Sequence, residues 1–245
     1  MSYLEFKPHH SLQDKIDCYW TIHHNESTPR VRKIIPDGCV DIIINLGDKL
    51  HIVSENSIIE NEAVILAGPM TQLKLTENAA HTNIIGIRFK PFGFHAFFEF
   101  DDLSAIQDMS MPLRPKDVVP DFKCLRSKDL IMQLDRFFLG ILKAKSHYIQ
   151  HIVHSLDFSK PLEVPKIASE HHVTERTLQR HFLKYAGMPL KRYYSIMRVQ
   201  HALRLLGSGN HARLSDIYYP LNFYDNAHFT KEFSRLTGFS PTAAQ

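Results

Sequence analysis

The spacing of apolar residues changes period part-way along this chain, and that change limits the architectures open to it. Before about residue 90, apolar residues come in short runs broken by turn signals, a strand pattern. From residue 147 onward they recur every three or four positions, a helix pattern. A doubly wound parallel sheet needs the two periods interleaved. The order here predicts an α+β chain of two domains, the first rich in strands and the second all helix. A length of 245 residues accommodates both, since domains run to roughly 100–200 residues. With 44% hydrophobic and 22% charged residues the composition excludes a largely disordered chain.

In the first part, strands are expected at 31–35, 40–46, 50–53, 58–59, 64–67, 72–75 and 84–89. Pro36-Asp37-Gly38, Gly68-Pro69 and Glu77-Asn78 punctuate them. Gly47-Asp48 predicts a hairpin between 40–46 and 50–53. Many short strands without intervening helices suit an antiparallel sandwich or barrel. After Pro91, the spacing of Phe94, Phe97 and Phe98 suits one helix face, and Leu103, Ile106 and Gln107 suit a second short helix. Residues 110–121, with Pro112, Pro115 and Pro120, read as an irregular connector. From Asp129, the positions Leu130, Ile131, Leu134, Phe137, Phe138, Ile141 and Leu142 mark an amphipathic helix over 129–145. Its stripe needs cover, from the β domain or from the same helix of a second chain. The expected division is 1–120 for a sensor or dimerisation barrel, 121–146 for a helical connection, and 147–245 for the helical domain.

Several function classes drop out early. Cys18, Cys39 and Cys124 lie far apart with no Cys-x-x-Cys pair, which disfavours a thioredoxin-like centre and a cysteine-rich zinc site. Their odd number suits reduced thiols and a cytoplasmic location. The start carries no apolar run of signal-peptide type, so no secretory signal is expected. Runs such as Ile42-Ile43-Ile44 are far short of the roughly 20 residues of a membrane span. His147, His151 and His154 would share one helix face, but no carboxylate or cysteine completes a metal site beside them. No metal and no cofactor is expected, nor is there a nucleophile-elbow, zincin or phosphate-loop motif. A lone thiol at Cys39 reads as a small buried hydrophobe.

Charge is uneven. Residues 151–245 hold 12 Lys+Arg against 7 Asp+Glu (+5), residues 1–150 hold 17 against 19 (−2), and the whole chain is +3. The helical part alone therefore suits an anionic partner, although +5 is also an ordinary solvated surface.

That part contains one layout twice. In the first copy, Val164, Ile167 and Ala168 mark a short helix, His171-His172-Val173 a turn, and Thr174 an N-cap. A second helix follows over 175–185, stopped at Gly187. Leu178 and Phe182 face inward, so Arg176, Gln179, Arg180 and Lys184 face out. In the second copy, Leu214, Ile217 and Leu221 precede the turn Asn222-Phe223-Tyr224 and the cap Asp225. A helix over 226–236 follows, stopped at Gly238, with Phe229 and Phe233 inward and Asn226, His228, Thr230 and Lys231 outward. A single helix over 190–206 joins the copies. In a helix-turn-helix the second helix enters the major groove, where Arg suits guanine and Gln suits adenine. Two such helices on one scaffold would meet successive major grooves, roughly 34 Å apart.

Residues 164–241 resemble the AraC/XylS family of bacterial transcription regulators. The matching segments include Thr177-Leu178-Gln179-Arg180-His181-Phe182, Met197-Arg198-Val199-Gln200-His201-Ala202, Asn222-Phe223-Tyr224-Asp225-Asn226-Ala227-His228-Phe229 and Thr237-Gly238-Phe239-Ser240-Pro241. The resemblance implies sequence-specific binding of double-stranded promoter DNA through two helix-turn-helix motifs. By motif position it implies a first contact set of Arg176, Gln179 and Arg180 and a second of Asn226, Ala227, His228, Thr230 and Lys231. Thr174 and Lys184 would lie near phosphates. It also implies a homodimer and contact with RNA polymerase. The sequence departs from the family at His172 and Asn222, where glycine is usual, at Tyr218, and at Pro220, which should shorten the helix it sits in. The second motif is therefore expected to act mainly as a phosphate clamp.

Residues 31–110 are similar to the amino-terminal domain of one subgroup of these regulators, through Pro36-Asp37-Gly38-Cys39-Val40-Asp41, Ala67-Gly68-Pro69-Met70-Thr71 and Ile85-Gly86-Ile87-Arg88-Phe89-Lys90-Pro91. That similarity implies a cupin-like barrel that binds a small effector or mediates dimerisation. The competing classes are a metal-dependent cupin-type enzyme, for which His51 and His81 would have to serve, and a partner-docking module with a helical appendage. Neither histidine belongs to a His-x-His pair.

Overall fold

The computed structural model describes residues 2–25, 30–78, 80–143, 147–209 and 213–244. Among the described residues ten strands come first: β1 (Ser2–Phe6), β2 (Ile16–Asn25), β3 (Arg30–Ile34), β4 (Val40–Asn45), β5 (Leu50–Ile52), β6 (Ser57–Ile59), β7 (Val64–Ala67), β8 (Lys74–Asn78), β9 (His81–Phe89) and β10 (Ser110–Leu113). They form two antiparallel sheets, in the orders β1-β2-β9-β4-β7-β10 and β3-β8-β5-β6. This is the antiparallel barrel-like domain the sequence implied, with its ladders divided between two sheets among the described residues.

Alternation along the strands sets three layers. In the larger sheet, Trp20, Ile22, Ile65 and Ile84 face the smaller sheet and pack with Leu50, Ile52 and Ile59. Tyr19, Ile42, Ile44, Ile85, Ile87 and Phe89 face the other way, toward helices. Ile16 joins the helix-facing set although its number has the parity of Trp20, because a bulge shifts register between Ile16 and Cys18. Gly86 is required where Trp20 crosses its strand. A Cβ there would lie 1.8 Å from the Trp20 ring.

The helix layer begins with α1 (Pro115–Val118), α2 (Phe122–Leu125) and α3 (Leu130–Ile141). Leu134 and Phe138 of α3 are buried in the barrel's outer core, where Phe138 meets Phe89, Phe97 and Tyr19. Asp135 accepts from the Tyr19 hydroxyl at 3.0 Å and the His9 amide at 2.9 Å, which fixes the helix on the sheet. The described part of the apolar stripe, Leu130 to Leu142, is thus covered by its own β domain. Residues 144–146, the end of that expected helix and of the connecting region, lie outside the described residues.

Three local expectations are corrected. The 40–46 and 50–53 segments do not form a hairpin. β4 pairs with β7 and β9, while β5 pairs with β6 and β8 in the other sheet. Asn45 explains the break, since its side chain binds the Asp48, Ile59 and Glu60 carbonyls and the Gly47 amide and turns the chain between sheets. The Phe94, Phe97 and Phe98 spacing marks a 3-10 turn at Gly93–Ala96 rather than a regular helix face. Residues 110–121 are not an irregular connector, because they include β10 and α1. Pro112 is tolerated in β10 because that strand is the sheet's edge.

The second domain holds α4 (Tyr148–Ser155), α5 (Val164–Glu170), α6 (Glu175–Ala186), α7 (Leu190–Ser208), α8 (Ser215–Tyr218) and α9 (Asn226–Thr237). Its core gathers Ile149 and Ile152 with Leu178, Phe182, Ile196, Val199, Phe229 and Phe233. Helix α7 buries residues around most of its circumference and is the spine between the two halves. No described helix is long and apolar enough to cross a membrane.

Candidate nucleic-acid interface

The two helix-turn-helix copies share one hydrogen-bond construction. In the first, His172 N–H donates to Ser169 O (3.1 Å) and Val173 N–H to Ala168 O (3.0 Å). In the second, Asn222 N–H donates to Tyr219 O (2.9 Å) and Phe223 N–H to Tyr218 O (3.1 Å). His172 and Asn222 both adopt the left-handed conformation, φ 53° and 55°, where the family usually has glycine. Asn accepts that region more readily than His, so the first turn carries the greater backbone strain. The copies then differ by one residue, Tyr224, which is 88% exposed. Pro220 follows a first helix of only four residues, α8, as its missing N–H requires. Tyr218 is nonetheless buried, with its ring 5.8 Å from that of Phe229.

Capping sets where each second helix starts. The Thr174 hydroxyl accepts from the Thr177 amide at 3.1 Å, and the Asp225 carboxylate from the His228 amide at 2.7 Å. Gly187 and Gly238 close the helices in the left-handed region, φ 70° and 73°. Leu178 and Phe182 on α6, and Phe229 and Phe233 on α9, are fully buried. Arg176, Gln179 and Arg180 are exposed together at i, i+3 and i+4. Asn226, Ala227, His228 and Lys231 are exposed on α9. Thr230 is half-buried, its hydroxyl 3.4 Å from the Asn226 side chain. Lys184 is half-buried too, with its ammonium 5.6 Å from the Tyr185 ring centre. Among the described residues, no carboxylate pairs with Arg176, Arg180, Lys184 or Lys231. Their charge is therefore offered to solvent.

Arg198 locks the second motif to the spine. Its Nε donates to Leu221 O at 2.6 Å, and its guanidinium lies 3.7 Å from the Phe223 ring centre. Ser195 donates to Glu232 at 2.6 Å, and Glu232 also binds Arg235. Helix α9 is thus tied to α7 by hydrogen bonds, and α6 packs on it through Phe182 and Tyr193, ring centres 5.5 Å apart.

The β domain grips the same spine. Gln200 donates to Pro36 O at 2.6 Å and Arg192 to Thr71 O, while Lys33 reaches beyond the spine to Gly238 O at the end of α9, at 3.3 Å. A Cβ on Gly38 would lie 2.5 Å from the Tyr193 ring. Near α6, Phe92 stacks on His147 at 4.7 Å and meets Tyr185 at 5.0 Å, with His95 also 5.0 Å from Tyr185. Tyr148 Oη lies 2.8 Å from His181 Nδ1. Burial holds the imidazole pKa values of His95, His147 and His181 below the usual range, with His147 at about 4.

Between the sheets lies a cavity of about 350 Å³ that sequence reading did not locate. Its lining includes Trp20, Arg32, Asp41, Lys74, Arg88 and, from α7, Gln200. The signal was present in the register: Asp41 and Arg88 stand opposite each other on β4 and β9, inside two of the segments that carried the resemblance. Burial pushes Asp41 up to about 6 even though Arg88 opposes the shift. Neither His51, 3.8 Å from Glu77, nor His81 is among the lining residues.

Comparison with known proteins follows this division. Residues 167–245 match a family model described as a helix-turn-helix domain, and residues 4–112 match one described as a domain of unknown function, DUF6597. The former segment is an AraC-type helix-turn-helix domain. Over 84 residues, 34% of this chain and 29% of the relative, the chain is 36% identical to the transcriptional activator RhaR of Escherichia coli K12. Over 70 residues, 29% of this chain and 23% of the relative, it is 37% identical to YidL, an uncharacterised transcriptional regulator of the same strain. The chain therefore spans under a third of the length of these relatives. The two-domain fold is similar to that of apo ToxT K231A from Vibrio cholerae, with TM-score 0.51, 13% identity, and coverage of 92% of this chain and 95% of the other.

Proposed function

We propose that this chain is a sequence-specific, DNA-binding transcription regulator of the AraC type rather than an enzyme. Residues 147–245 read promoter DNA, residues 1–120 bind a small effector or mediate dimerisation, and residues 121–146 connect them. Arg176, Gln179 and Arg180 read base edges in one major groove. Asn226, Ala227, His228, Thr230 and Lys231 approach the next, with Thr174 and Lys184 near phosphates. The observation that carries this reading is the pair of capped helices behind turns with matching backbone hydrogen bonds, each with an exposed polar face, and with Arg176 and Arg180 on the first and Lys231 on the second left without a carboxylate among the described residues. The AraC-type relatives of the segment, and a ToxT structure bound to (E)-4-(8-methylnaphthalen-1-yl)but-3-enoic acid, support a regulator that also binds a small molecule. A homodimer in the cytoplasm, acting on RNA polymerase, completes the proposal.

A ligand alters transcription only if it binds one arrangement of the two domains better than another. The cavity is suited to that role because Gln200 of the DNA-reading spine lines it. Mapping of bound sites across the source genome, followed by affinity measurement on the recovered sequence, tests the proposal. The expected result is one shared motif, bound with an affinity that falls steeply with salt. Binding without sequence preference refutes it.

A further inference from the structure

The wall of the inter-sheet cavity is selective in its chemistry. Its body is apolar, built from Trp20, Ile22, Ile43, Leu50, Ile52 and Ile84. The acceptors on the wall are already engaged. Asp41 accepts from Trp20 Nε1 at 2.9 Å and lies 3.5 Å from Arg88. Asp37 accepts from the Cys39 amide at 3.0 Å and lies 3.1 Å from Arg88. Glu55 takes the Lys74 ammonium at 2.6 Å and both the amide and the hydroxyl of Ser110, at 2.9 and 3.0 Å.

Donors are left over. Lys74 has three N–H groups, is almost fully buried, and among the described residues gives one of them, to Glu55. Arg32 lines the same cavity, is partly buried, and has no carboxylate partner among the described residues. Burial lowers its guanidinium pKa, and the acidic group that offsets this is a tyrosine, Tyr3. In the β3–β8 ladder Arg32 stands opposite Thr76 and Ile34 opposite Lys74. Arg32 and Lys74 are therefore diagonal neighbours on one face of one sheet. A partly buried cation without a counter-charge is costly, and a bound anion removes that cost. Lys33, the remaining cation of the lining, donates to Gly238 O instead.

We propose that the cavity binds an amphipathic organic carboxylic acid, its carboxylate on Arg32 and Lys74 and its hydrocarbon part against Trp20 and the isoleucines. The assignment rests on the effector-binding role of the β domain and names the ligand class. The cavity volume falls within the range of small-molecule sites, roughly 300–1,000 Å³. Gln200 brings the ligand into contact with the spine that holds both reading helices.

Trp20 is the single tryptophan of the chain, so its emission reports the cavity. The full-length protein is titrated with octanoic acid, octan-1-ol and octylamine at neutral pH. Octanoic acid is expected to shift Trp20 emission saturably, with about tenfold or greater preference over the alcohol and the amine. Arg32→Gln is expected to lower octanoic acid affinity about tenfold and leave the alcohol unchanged. Removing the Lys74 ammonium alone would strand a buried Glu55, so the companion variant is Lys74→Met with Glu55→Gln, expected to lose the same preference. Equal binding of acid and alcohol, preference for the amine, no response to any of the three, or an unchanged preference in both variants overturns the inference. DNA footprinting without acid is run in parallel. An intact footprint with no acid preference refutes the ligand class and leaves the DNA-reading proposal standing. A missing footprint refutes that proposal while the fluorescence still decides the chemistry of the cavity.

Discussion

Thr174 and Asp225 each satisfy an amide at the start of the second helix of a helix-turn-helix copy, where four N–H groups have no partner within the helix. Thr174→Ala should cost about 1 kcal/mol and lower Tm by about 2–4 °C in a chain of this size, read by thermal unfolding. An unchanged Tm would show that the cap adds nothing. Arg180→Ala should relax base preference at one position and cost about 1–3 kcal/mol of DNA affinity. A footprint unchanged at every base would remove Arg180 from the reading set. These residues were legible in the sequence because caps, left-handed turns and helix faces are local, set by neighbours within four positions. Arg32, Lys74 and Arg88 were not, because their meaning depends on which strands face each other across the cavity. Nothing in the spacing of a single strand shows that Lys74 is taken by Glu55 while Arg32 has no carboxylate partner among the described residues.

Among the elements, long helices and most strands could be read from period alone, since one face of each is buried and the pattern repeats. The misread segments share a cause in tertiary context. Asn45 redirects the chain between sheets, Pro112 is permitted by an edge, and the Phe94 cluster is drawn together around Phe89 and Phe138 without a regular helix. The contact of α7 with the 36–38 turn has a simple test. Gly38 has φ 75° and no room for a Cβ against Tyr193, so Gly38→Ala should destabilise the protein by more than about 1 kcal/mol. Denaturant unfolding measures it, and a neutral result would mean that the domains do not meet there in solution.

The contact of α6 with the barrel should respond to pH. His147 has its pKa lowered by burial first and by His181 and His95 next. Lys184 and Arg180 add positive charge nearby, while Asp102 acts on His95 in the opposite sense. A histidine with a lowered folded pKa binds fewer protons folded than unfolded. Its contribution to stability is therefore complete above about 6.5 and is lost as pH falls toward about 4. Asp41 works in the opposite direction, because a carboxyl raised to about 6 favours the fold as pH falls below that value. The comparison of wild type with His147→Asn isolates the histidine. Urea unfolding between pH 4 and pH 7 should show a shallower rise of stability with pH in the variant, and equal slopes would contradict this.

At the scale of the molecule, one helix would connect the two proposed functions. Helix α7 spaces the two helix-turn-helix motifs, and through Arg192, Tyr193 and Gln200 it lies against the β domain beside the cavity. A change in how the sheets close on the proposed ligand would reach that helix directly, by contact rather than through a long chain of intermediates. Because α6 and α9 both pack on this helix, it sets their separation, and their proposed reading of two grooves is the claim on which the account depends. Footprinting of the full chain on its own highest-affinity genomic site, over a range of salt concentrations, tests it most directly. The account predicts protection of two adjacent major-groove segments about one helical turn, roughly 34 Å, apart on one face of the duplex, with Arg176→Ala and Arg180→Ala altering one segment only. Protection of a single groove, or of none with sequence preference, would contradict it.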